Sequence, residues 1–344
     1  MVEQTGYRVF TWGEDPTWTS LPIPSPGPGE VLVEVLACGV GLTVLNCING
    51  DLGNDPALLP RVPGHELAGR VVEAGDGVDQ AIVGRVVVAY FYLICGHCGP
   101  CRSSREPLCD NLAGYVGVHR DGGYAPWVVL PAINAIPIPE SLDPAAATVV
   151  PDAVATPVHV ADRADIGPGD RVVILGAGGG VGIHMVQVAR HRGATVAGFD
   201  VTEEKLAEVD RLGGLPVRSD ELAGIGIGVF DGERPTVVVD LLGTAVTASW
   251  SLAALDKSGR LVALTTFPNR PAAFESRELV FRELTLIGSR YASRVQVVEA
   301  AELVASGQVE PIIGEVVGPD AVLELHQQIR SRRLIGRGAL DWRS

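Results

Sequence analysis

Short runs of β-branched and apolar residues dominate the first 150 residues of the chain. Strands are predicted over 31–36, 69–73, 85–90 and 124–130, each bounded by Pro, Gly or polar residues. Prolines at 22, 24, 26 and 28 precede the first of these strands and indicate an irregular segment there. This part of the chain is therefore predicted to be an irregular, β-rich domain.

From Asp165 onward, apolar strands alternate with helical patterns. The continuous apolar run 170–175 is typical of a buried parallel strand. Helices and strands are then predicted in alternation, over 181–192, 195–199, 203–212, 236–241, a helix ending at 255, 260–264 and a helix over 295–306. This order predicts a doubly wound parallel sheet, and the length of 344 residues favours two domains.

Charge and composition narrow the class of protein. The net charge is −14, which repels phosphate backbones and anionic lipid surfaces, so we expect no nucleic-acid or membrane partner. No apolar stretch approaches the roughly 20 residues of a membrane helix, and the N-terminus lacks a secretory signal. We therefore expect a cytoplasmic protein, in which clustered cysteines indicate a metal site more than disulfides.

A glycine-rich turn joins the 170–175 strand to the helix that follows. It comprises Gly176, Ala177, Gly178, Gly179, Gly180, Val181 and Gly182. Such a turn lets the backbone approach a pyrophosphate at a helix N-terminus. Asp200 closes the next strand, where a carboxylate binds ribose hydroxyls and repels a 2′-phosphate, so NAD is predicted over NADP. Lys205 could offset this charge in part, but we expect it on the solvent face of its helix.

Four cysteines follow metal-ligand spacing. Cys95, Cys98, Cys101 and Cys109 form a C-x2-C-x2-C-x7-C pattern in a loop rich in Gly and Pro. Four thiolates make a closed tetrahedral zinc site, which holds a loop together and leaves no position open for substrate. His97 is predicted to be a surface residue, and Cys38 a small buried one.

These features together resemble the zinc-containing alcohol dehydrogenases of the medium-chain dehydrogenase/reductase family. The resemblance covers essentially the whole chain and rests on Gly64-His65-Glu66, the four-cysteine lobe, the glycine-rich turn and the segment 283–289. It implies a GroES-like catalytic domain over 1–154 and 293–344, with the zinc lobe at 91–112. It also implies a Rossmann domain over 155–292, hydride transfer at nicotinamide C4, and a homodimer or homotetramer.

The resemblance also implies a second, catalytic zinc, and here the chain departs from the family pattern. Thr43 matches the hydroxyl position of the first ligand motif, which puts Gly41 at the place of the usual cysteine. His65 and Glu66 match ligand positions, and Asp152 stands where a third ligand is expected. Cys47 has only a small chance of completing the set.

Three interpretations of this altered site remain open. In the first, His65, Asp152 and Glu66 hold a catalytic zinc, and the enzyme interconverts alcohols and carbonyls. In the second, the site is metal-free and reduces an activated C=C or C=N bond, with Thr43 or His65 as proton donor. In the third, the protein binds nucleotide without catalysis. We favour the first, with Thr43, His65, Glu66 and Asp152 as catalytic residues and an apolar or aromatic substrate.

The resemblance assigns further residues to the cofactor. They are Thr156 beside the nicotinamide, Gly243, Leu264, Thr265 and Thr266 at the ends of two strands, and Gly288, Ser289 and Arg290 after the sixth strand. Arg337 either reaches the pyrophosphate or is a surface arginine of a basic tail.

Overall fold

Two compact units make up the chain in the computed structural model, which describes residues 2–220, 222, 228–265, 271 and 274–344. Unit 1 comprises Met1–Ala155, Ala292–Gly307 and Pro311–Ser344, and unit 2 comprises Thr156–Tyr291 and Gln308–Glu310. Within the described ranges, no helix is both long enough and apolar enough to cross a membrane. Thr266 lies outside the described residues, so its predicted cofactor contact stays a prediction.

The strands follow in chain order. They are β1 (Glu3–Arg8), β2 (Thr17–Pro22), β3 (Glu30–Val40), β4 (Glu66–Ala74), β5 (Val86–Ala89), β6 (Trp127–Pro131), β7 (Ala135–Pro137), β8 (Arg171–Leu175), β9 (Thr195–Asp200), β10 (Leu215–Arg218), β11 (Val237–Asp240), β12 (Arg260–Ala263), β13 (Thr285–Gly288), β14 (Ile313–Val317) and β15 (Arg337–Asp341).

The helices are numbered in the same way. They are α1 (Leu42–Ile48), α2 (Gly99–Arg102), α3 (Pro144–Ala147), α4 (Ala155–Arg163), α5 (Gly180–His191), α6 (Glu203–Arg211), α7 (Ala245–Ala254), α8 (Ser276–Phe281), α9 (Arg294–Ala305) and α10 (Val322–Arg330). A π-helical turn, Val150–Val154, leads directly into α4.

Unit 1 is built around the long strand β3. The sheet runs β14-β15-β3-β4-β5-β7, and β6 also pairs with β3, while β1 and β2 form a separate hairpin. Val31, Val33 and Val35 of β3 are fully or almost fully buried, and they share one core with Leu67 and Val71 of β4. The predicted β-rich domain is thus confirmed. The strand predicted over 124–130 is β6, which begins later, at Trp127.

Unit 2 is the predicted doubly wound sheet. Its strands run β10-β9-β8-β11-β12-β13, and every neighbouring pair is parallel. The chain order reverses between β8 and β11, the point where sheets of this type bind ligands beyond the carboxyl ends of their strands. Val173, Ala197 and Val238 are fully buried, which explains why these strands read as continuous apolar runs.

Candidate active site and metal centres

The four cysteines of the lobe converge on one point. The Sγ atoms of Cys95 and Cys101 are 4.0 Å apart, those of Cys98 and Cys109 are 3.8 Å apart, and those of Cys109 and Cys95 are 3.6 Å apart. A tetrahedral zinc with bonds of about 2.3 Å places its sulfur ligands about 3.8 Å apart, so these residues fit the ion. His97 is exposed and its Nδ1 lies 2.8 Å from the Cys95 carbonyl oxygen, as expected for a residue outside the ligand set.

His65, Glu66 and Asp152 form a second group in unit 1. Their ligand-type atoms lie within 4.8 Å of one another, and the three residues are buried. Glu66 opens β4 with His65 immediately before it, whereas Asp152 belongs to the π-helical turn, an irregularity that is frequent at functional sites. The His65 Nε2 and Asp152 Oδ2 atoms are 3.9 Å apart. The structure therefore brings together three of the four predicted catalytic residues.

Arg337 completes this group, a position that the sequence analysis did not anticipate. It is 4% exposed, so the interpretation as a surface arginine is wrong. Its Nη2 atom donates to Asp152 Oδ2 at 2.8 Å and forms an ion pair with Glu66 Oε1 at 2.7 Å that lacks hydrogen-bond geometry. The guanidinium is held by two carboxylates of unit 1, which leaves the predicted pyrophosphate contact without support among the described contacts.

The charges in this group depend on one another. Burial raises the pKa of Glu66 to about 7, although the Arg337 guanidinium acts in the opposite direction. Burial also disfavours a charged Arg337, but Glu66 and Asp152 outweigh it and raise the pKa of this guanidinium. Arg337 therefore remains a permanent cation against two buried carboxyl groups.

Gly41 lies directly against this cation. It is the N-cap of α1, with φ −133° and ψ 179°, an extended conformation that any residue adopts. A Cβ atom on Gly41 would lie 2.1 Å from Arg337 Nη1 and 2.6 Å from its Cζ. A side chain at this position would therefore require the guanidinium to shift, whereas the backbone conformation itself would accept any residue.

The other sequence candidates near Gly41 lie in β3 and α1. Thr43 is half-buried in the first turn of α1. Cys38 is fully buried in β3, where its thiol donates to the Gly39 carbonyl oxygen, in agreement with the predicted small buried residue. Cys47 is buried in α1, burial raises the pKa of its thiol, and it is absent from the metal-ligand groups found among the described residues.

The donor set as it stands does not fit a second zinc. A histidine and two carboxylates are acceptable ligands by type, and the ring nitrogens of His65 have no hydrogen-bond partner among the described residues. Both carboxylates, however, already contact a guanidinium nitrogen within 2.8 Å, and no thiolate is present. A divalent cation bound to the same oxygens would be repelled by Arg337 at close range.

An aromatic cluster adjoins His65. The imidazole ring of His65 stacks on the ring of Phe91, with the two centroids 4.1 Å apart and an angle of 28° between the planes. Tyr92 and Tyr115 pack against Phe91, with centroids at 5.4 and 5.2 Å. The surroundings of His65 are therefore apolar and aromatic on this side.

The glycine-rich turn of unit 2 joins a strand to a helix, as predicted. Gly176 follows β8 with φ +87°, which only glycine adopts readily, and α5 begins at Gly180. The Gly178 N–H donates to Asp200 Oδ2 at 2.8 Å, and the Val201 N–H donates to Asp200 Oδ1 at 2.8 Å. These two N–H groups, one from the turn and one from the residue after β9, fix the carboxylate beside the turn, where a dinucleotide site needs it.

Lys205 does not lie on the solvent face of α6, and that prediction is wrong. The residue is 7% exposed, and its side chain packs over Gly178, where an added Cβ would lie 2.4 Å from Lys205 Cβ. Its Nζ is 3.9 Å from Asp200 Oδ1. Lys205 therefore packs against the glycine-rich turn, because the absent side chain of Gly178 makes room for it.

Most of the remaining predicted cofactor residues lie at the carboxyl ends of parallel strands in unit 2. Gly243 follows β11 with φ +60°, Leu264 and Thr265 follow β12, and Gly288 ends β13 with Ser289 and Arg290 after it. Thr156 is the second residue of α4 and is buried. Parallel strands end at one edge of the sheet, so the strand-end residues share the edge at which Gly176 and Asp200 lie.

Comparison with known proteins agrees with this geometry. Residues 27–140 match the alcohol dehydrogenase GroES-like domain, and residues 180–306 match the zinc-binding dehydrogenase domain. The chain is 31% identical over 320 residues to an alcohol dehydrogenase of Geobacillus stearothermophilus, covering 90% of each chain.

Solved structures give the same result. Acetophenone reductase from Geotrichum candidum in complex with NAD is 28% identical, with a TM-score of 0.85 over 98% of this chain and 97% of that one. An NADP-bound structure from Sinorhizobium meliloti is 30% identical, with a TM-score of 0.87 over 99% of this chain and 100% of that one. The chain belongs to the zinc-containing alcohol dehydrogenase family of medium-chain dehydrogenases/reductases, whose members are oxidoreductases that use a nicotinamide cofactor.

Proposed function

We propose that this alcohol dehydrogenase-type enzyme transfers hydride between NAD(H) and a small apolar or aromatic alcohol or carbonyl compound. Unit 1 is proposed as the catalytic domain and unit 2 as the nucleotide-binding domain. When bound, the nicotinamide supplies or accepts the hydride. The observation that carries the proposal is the Asp200 carboxylate, held by two backbone N–H groups beside the glycine-rich turn.

The preference for NAD over NADP rests on the surroundings of Asp200. Its carboxylate is nearly buried and fixed, so it suits the ribose hydroxyls of NAD and repels the 2′-phosphate of NADP. The Lys205 Nζ already lies beside this carboxylate, 3.9 Å from Asp200 Oδ1. Arg218, the register neighbour of Asp200 on β10, pairs with Glu203 and Asp220. Both side chains therefore already contact acids, which disfavours their pairing with a 2′-phosphate.

Steady-state kinetics with each cofactor tests this preference. We expect a higher kcat/KM with NADH than with NADPH. In Asp200→Asn, the ratio of the NADH value to the NADPH value should fall by about tenfold or more, because one full charge near the ribose is removed. Asp210→Asn, at an exposed acid on α6, serves as the matched control and should leave the ratio unchanged. A wild-type enzyme that prefers NADPH would contradict the assignment.

We propose that His65 exchanges the proton that accompanies hydride transfer. Oxidation of an alcohol releases one proton from the hydroxyl oxygen, and reduction of a carbonyl takes one up. His65 has no hydrogen-bond partner for either ring nitrogen among the described residues, and the Asp152 carboxylate lies 3.9 Å from its Nε2. Thr43 is proposed as a hydroxyl that hydrogen-bonds the substrate oxygen. We expect His65→Asn to lower kcat by about 100-fold, within the usual range for a general acid–base group.

The aromatic side of His65 supports an apolar or aromatic substrate. Phe91 stacks on the imidazole, and Tyr92 and Tyr115 extend the cluster. A panel of aryl and short aliphatic alcohols, ketones and aldehydes tests the proposal, with kcat/KM expected to favour the aryl compounds. Binding of NADH without turnover of any member of the panel would favour a nucleotide-binding protein without catalysis.

A homodimer or homotetramer is proposed from the edge of the unit 2 sheet. Among the described strands, β13 pairs only with β12, and Leu286 on it is 42% exposed. Val280 and Phe281 at the end of α8 are 69% and 71% exposed. An unpaired apolar edge is a template for pairing with a second copy. Light scattering should give a multiple of the monomer mass, and Leu286→Lys should shift it toward the monomer.

A further inference from the structure

Arg337 lies against both carboxylates of the His65–Glu66–Asp152 group in unit 1. Its guanidinium contacts the Glu66 and Asp152 carboxylates at 2.7 and 2.8 Å, and all three residues are buried. A positive charge beside two buried carboxylates stabilises their ionised forms, because it offsets both their desolvation and their mutual repulsion. The guanidinium supplies that charge from within the chain.

Gly41 is the second half of this arrangement. A side chain at this position would overlap Arg337, since its Cβ would lie 2.1 Å from Nη1. The backbone at Gly41 is extended and would accept any residue. The glycine therefore matters because it leaves room for the guanidinium of Arg337. A side chain at position 41 and the guanidinium in its present place therefore compete for the same volume.

We infer that Arg337 is the resident cation of the His65–Glu66–Asp152 group, and that zinc binds to this chain only in the four-cysteine lobe. Arg337 is a positioning residue in this scheme, because it acts by fixing Asp152 beside His65. A fixed monovalent cation offers no exchangeable coordination position, and it cannot be removed by a chelator. The inference deepens the proposed function but is tested by metal content, which does not depend on substrate or turnover.

A single zinc per chain is the first expected result. Purified chain is loaded with excess zinc, freed of unbound ion by gel filtration and analysed for metal by mass spectrometry. The wild type should hold one zinc, and Cys98→Ser, which breaks the lobe, should hold none. Two zincs in the wild type, or one zinc retained by Cys98→Ser, would overturn the inference.

The second test removes the guanidinium. In the Cys98→Ser background, Arg337→Met should create a site for Co²⁺ made by His65, Glu66 and Asp152, visible as new d–d absorption bands and as one bound cobalt per chain. The matched control is Arg343→Met, which removes an exposed arginine that is ion-paired to Asp341 and Asp143. This control should bind no cobalt. A folded Arg337→Met chain that also binds none would show that the guanidinium is not what excludes metal.

A double variant keeps the inference testable if Arg337→Met does not fold. Gly41→Cys combined with Arg337→Ala replaces the guanidinium by a thiolate that has room for its side chain. With Cys98→Ser present, bound Co²⁺ should show an additional thiolate charge-transfer band in the near ultraviolet. Gly41→Cys with Arg337 retained should show no such band, because the two side chains compete for one volume. A charge-transfer band of equal strength with Arg337 retained would count against the inference.

Discussion

The four-cysteine lobe and the Arg337 cluster solve the same electrostatic problem in opposite ways. In the lobe, three pairs of the four Sγ atoms lie 3.6 to 4.0 Å apart, and the thiol groups need an external cation to be held together as thiolates. In the cluster, the carboxylates of Glu66 and Asp152 receive a cation that is part of the chain itself. The difference shows that ligand-type residues in close contact do not by themselves identify a metal site. The charges that surround such residues decide whether they bind a metal ion.

The largest effect is expected when a ligand of the four-cysteine lobe is removed. Cys98→Ser removes one of four zinc ligands, and we expect the zinc content to fall from one per chain to none, because a closed tetrahedral site needs all four. The loop 91–112 should then become sensitive to limited proteolysis. His97→Ala is the control, since His97 is exposed and outside the ligand set, and it should keep its zinc. Loss of zinc in this control would mean that the lobe has been assigned incorrectly.

The next largest effect is expected when the guanidinium of Arg337 is removed. Arg337→Met leaves two buried carboxyl groups without their partner, and breaking a buried ion pair typically costs about 3–5 kcal/mol. Arg343→Met removes an exposed arginine and should cost less than about 1 kcal/mol. Denaturant unfolding followed by circular dichroism measures both free energies. Equal losses in the two variants would contradict a special role for Arg337.

A smaller effect is expected at Gly41. Gly41→Ala places a methyl group on the guanidinium, and overpacking of this kind costs about 1–3 kcal/mol. Gly167→Ala is the control, because no atom lies within 4 Å of a Cβ atom added there. The free energies of unfolding of both variants are compared with that of the wild type. A Gly41→Ala chain as stable as the wild type would show that the guanidinium moves aside easily, and the contrast with the lobe would weaken.

The smallest expected effect concerns the aromatic side of the cluster. Phe91→Leu keeps an apolar side chain next to His65 but removes the stacked ring, which is worth about 0.5–1.5 kcal/mol. We expect kcat/KM for aryl substrates to fall by about fivefold relative to short aliphatic ones, the equivalent of about 1 kcal/mol. Phe10→Leu, at a half-exposed ring, serves as the control and should leave the ratio as it is. An unchanged ratio in Phe91→Leu would separate the aromatic cluster from substrate choice.

The features that sequence analysis predicted well are local ones. Cys95 to Cys109 lie on one loop, and Gly176 to Gly182 lie on one turn, so their spacing alone carries the chemistry. Asp200 was predicted for the same reason, because strand, turn, helix, strand and acid follow in order. The fold class followed from the change in period between the two parts of the chain.

The features that were missed depend on contacts between distant segments. Arg337 and Asp152 are 185 residues apart in the chain, and nothing near either residue indicates that they meet. Lys205 was placed on the wrong face of α6 because its burial depends on the absent side chain of Gly178, on a different element. In both cases a glycine makes room for a long cationic side chain, and a pattern of apolar residues carries no trace of that arrangement.

The close fit of Gly41 against Arg337 limits the mutational routes open to this enzyme. A cysteine introduced alone at position 41 meets the guanidinium, and loss of the arginine alone leaves two buried acids without compensation. Each single step is therefore expected to lower fitness even if the double change is tolerated. Such sign epistasis makes the present arrangement hard to reverse one substitution at a time, so directed evolution toward a metal-dependent variant should start from libraries that vary both positions together.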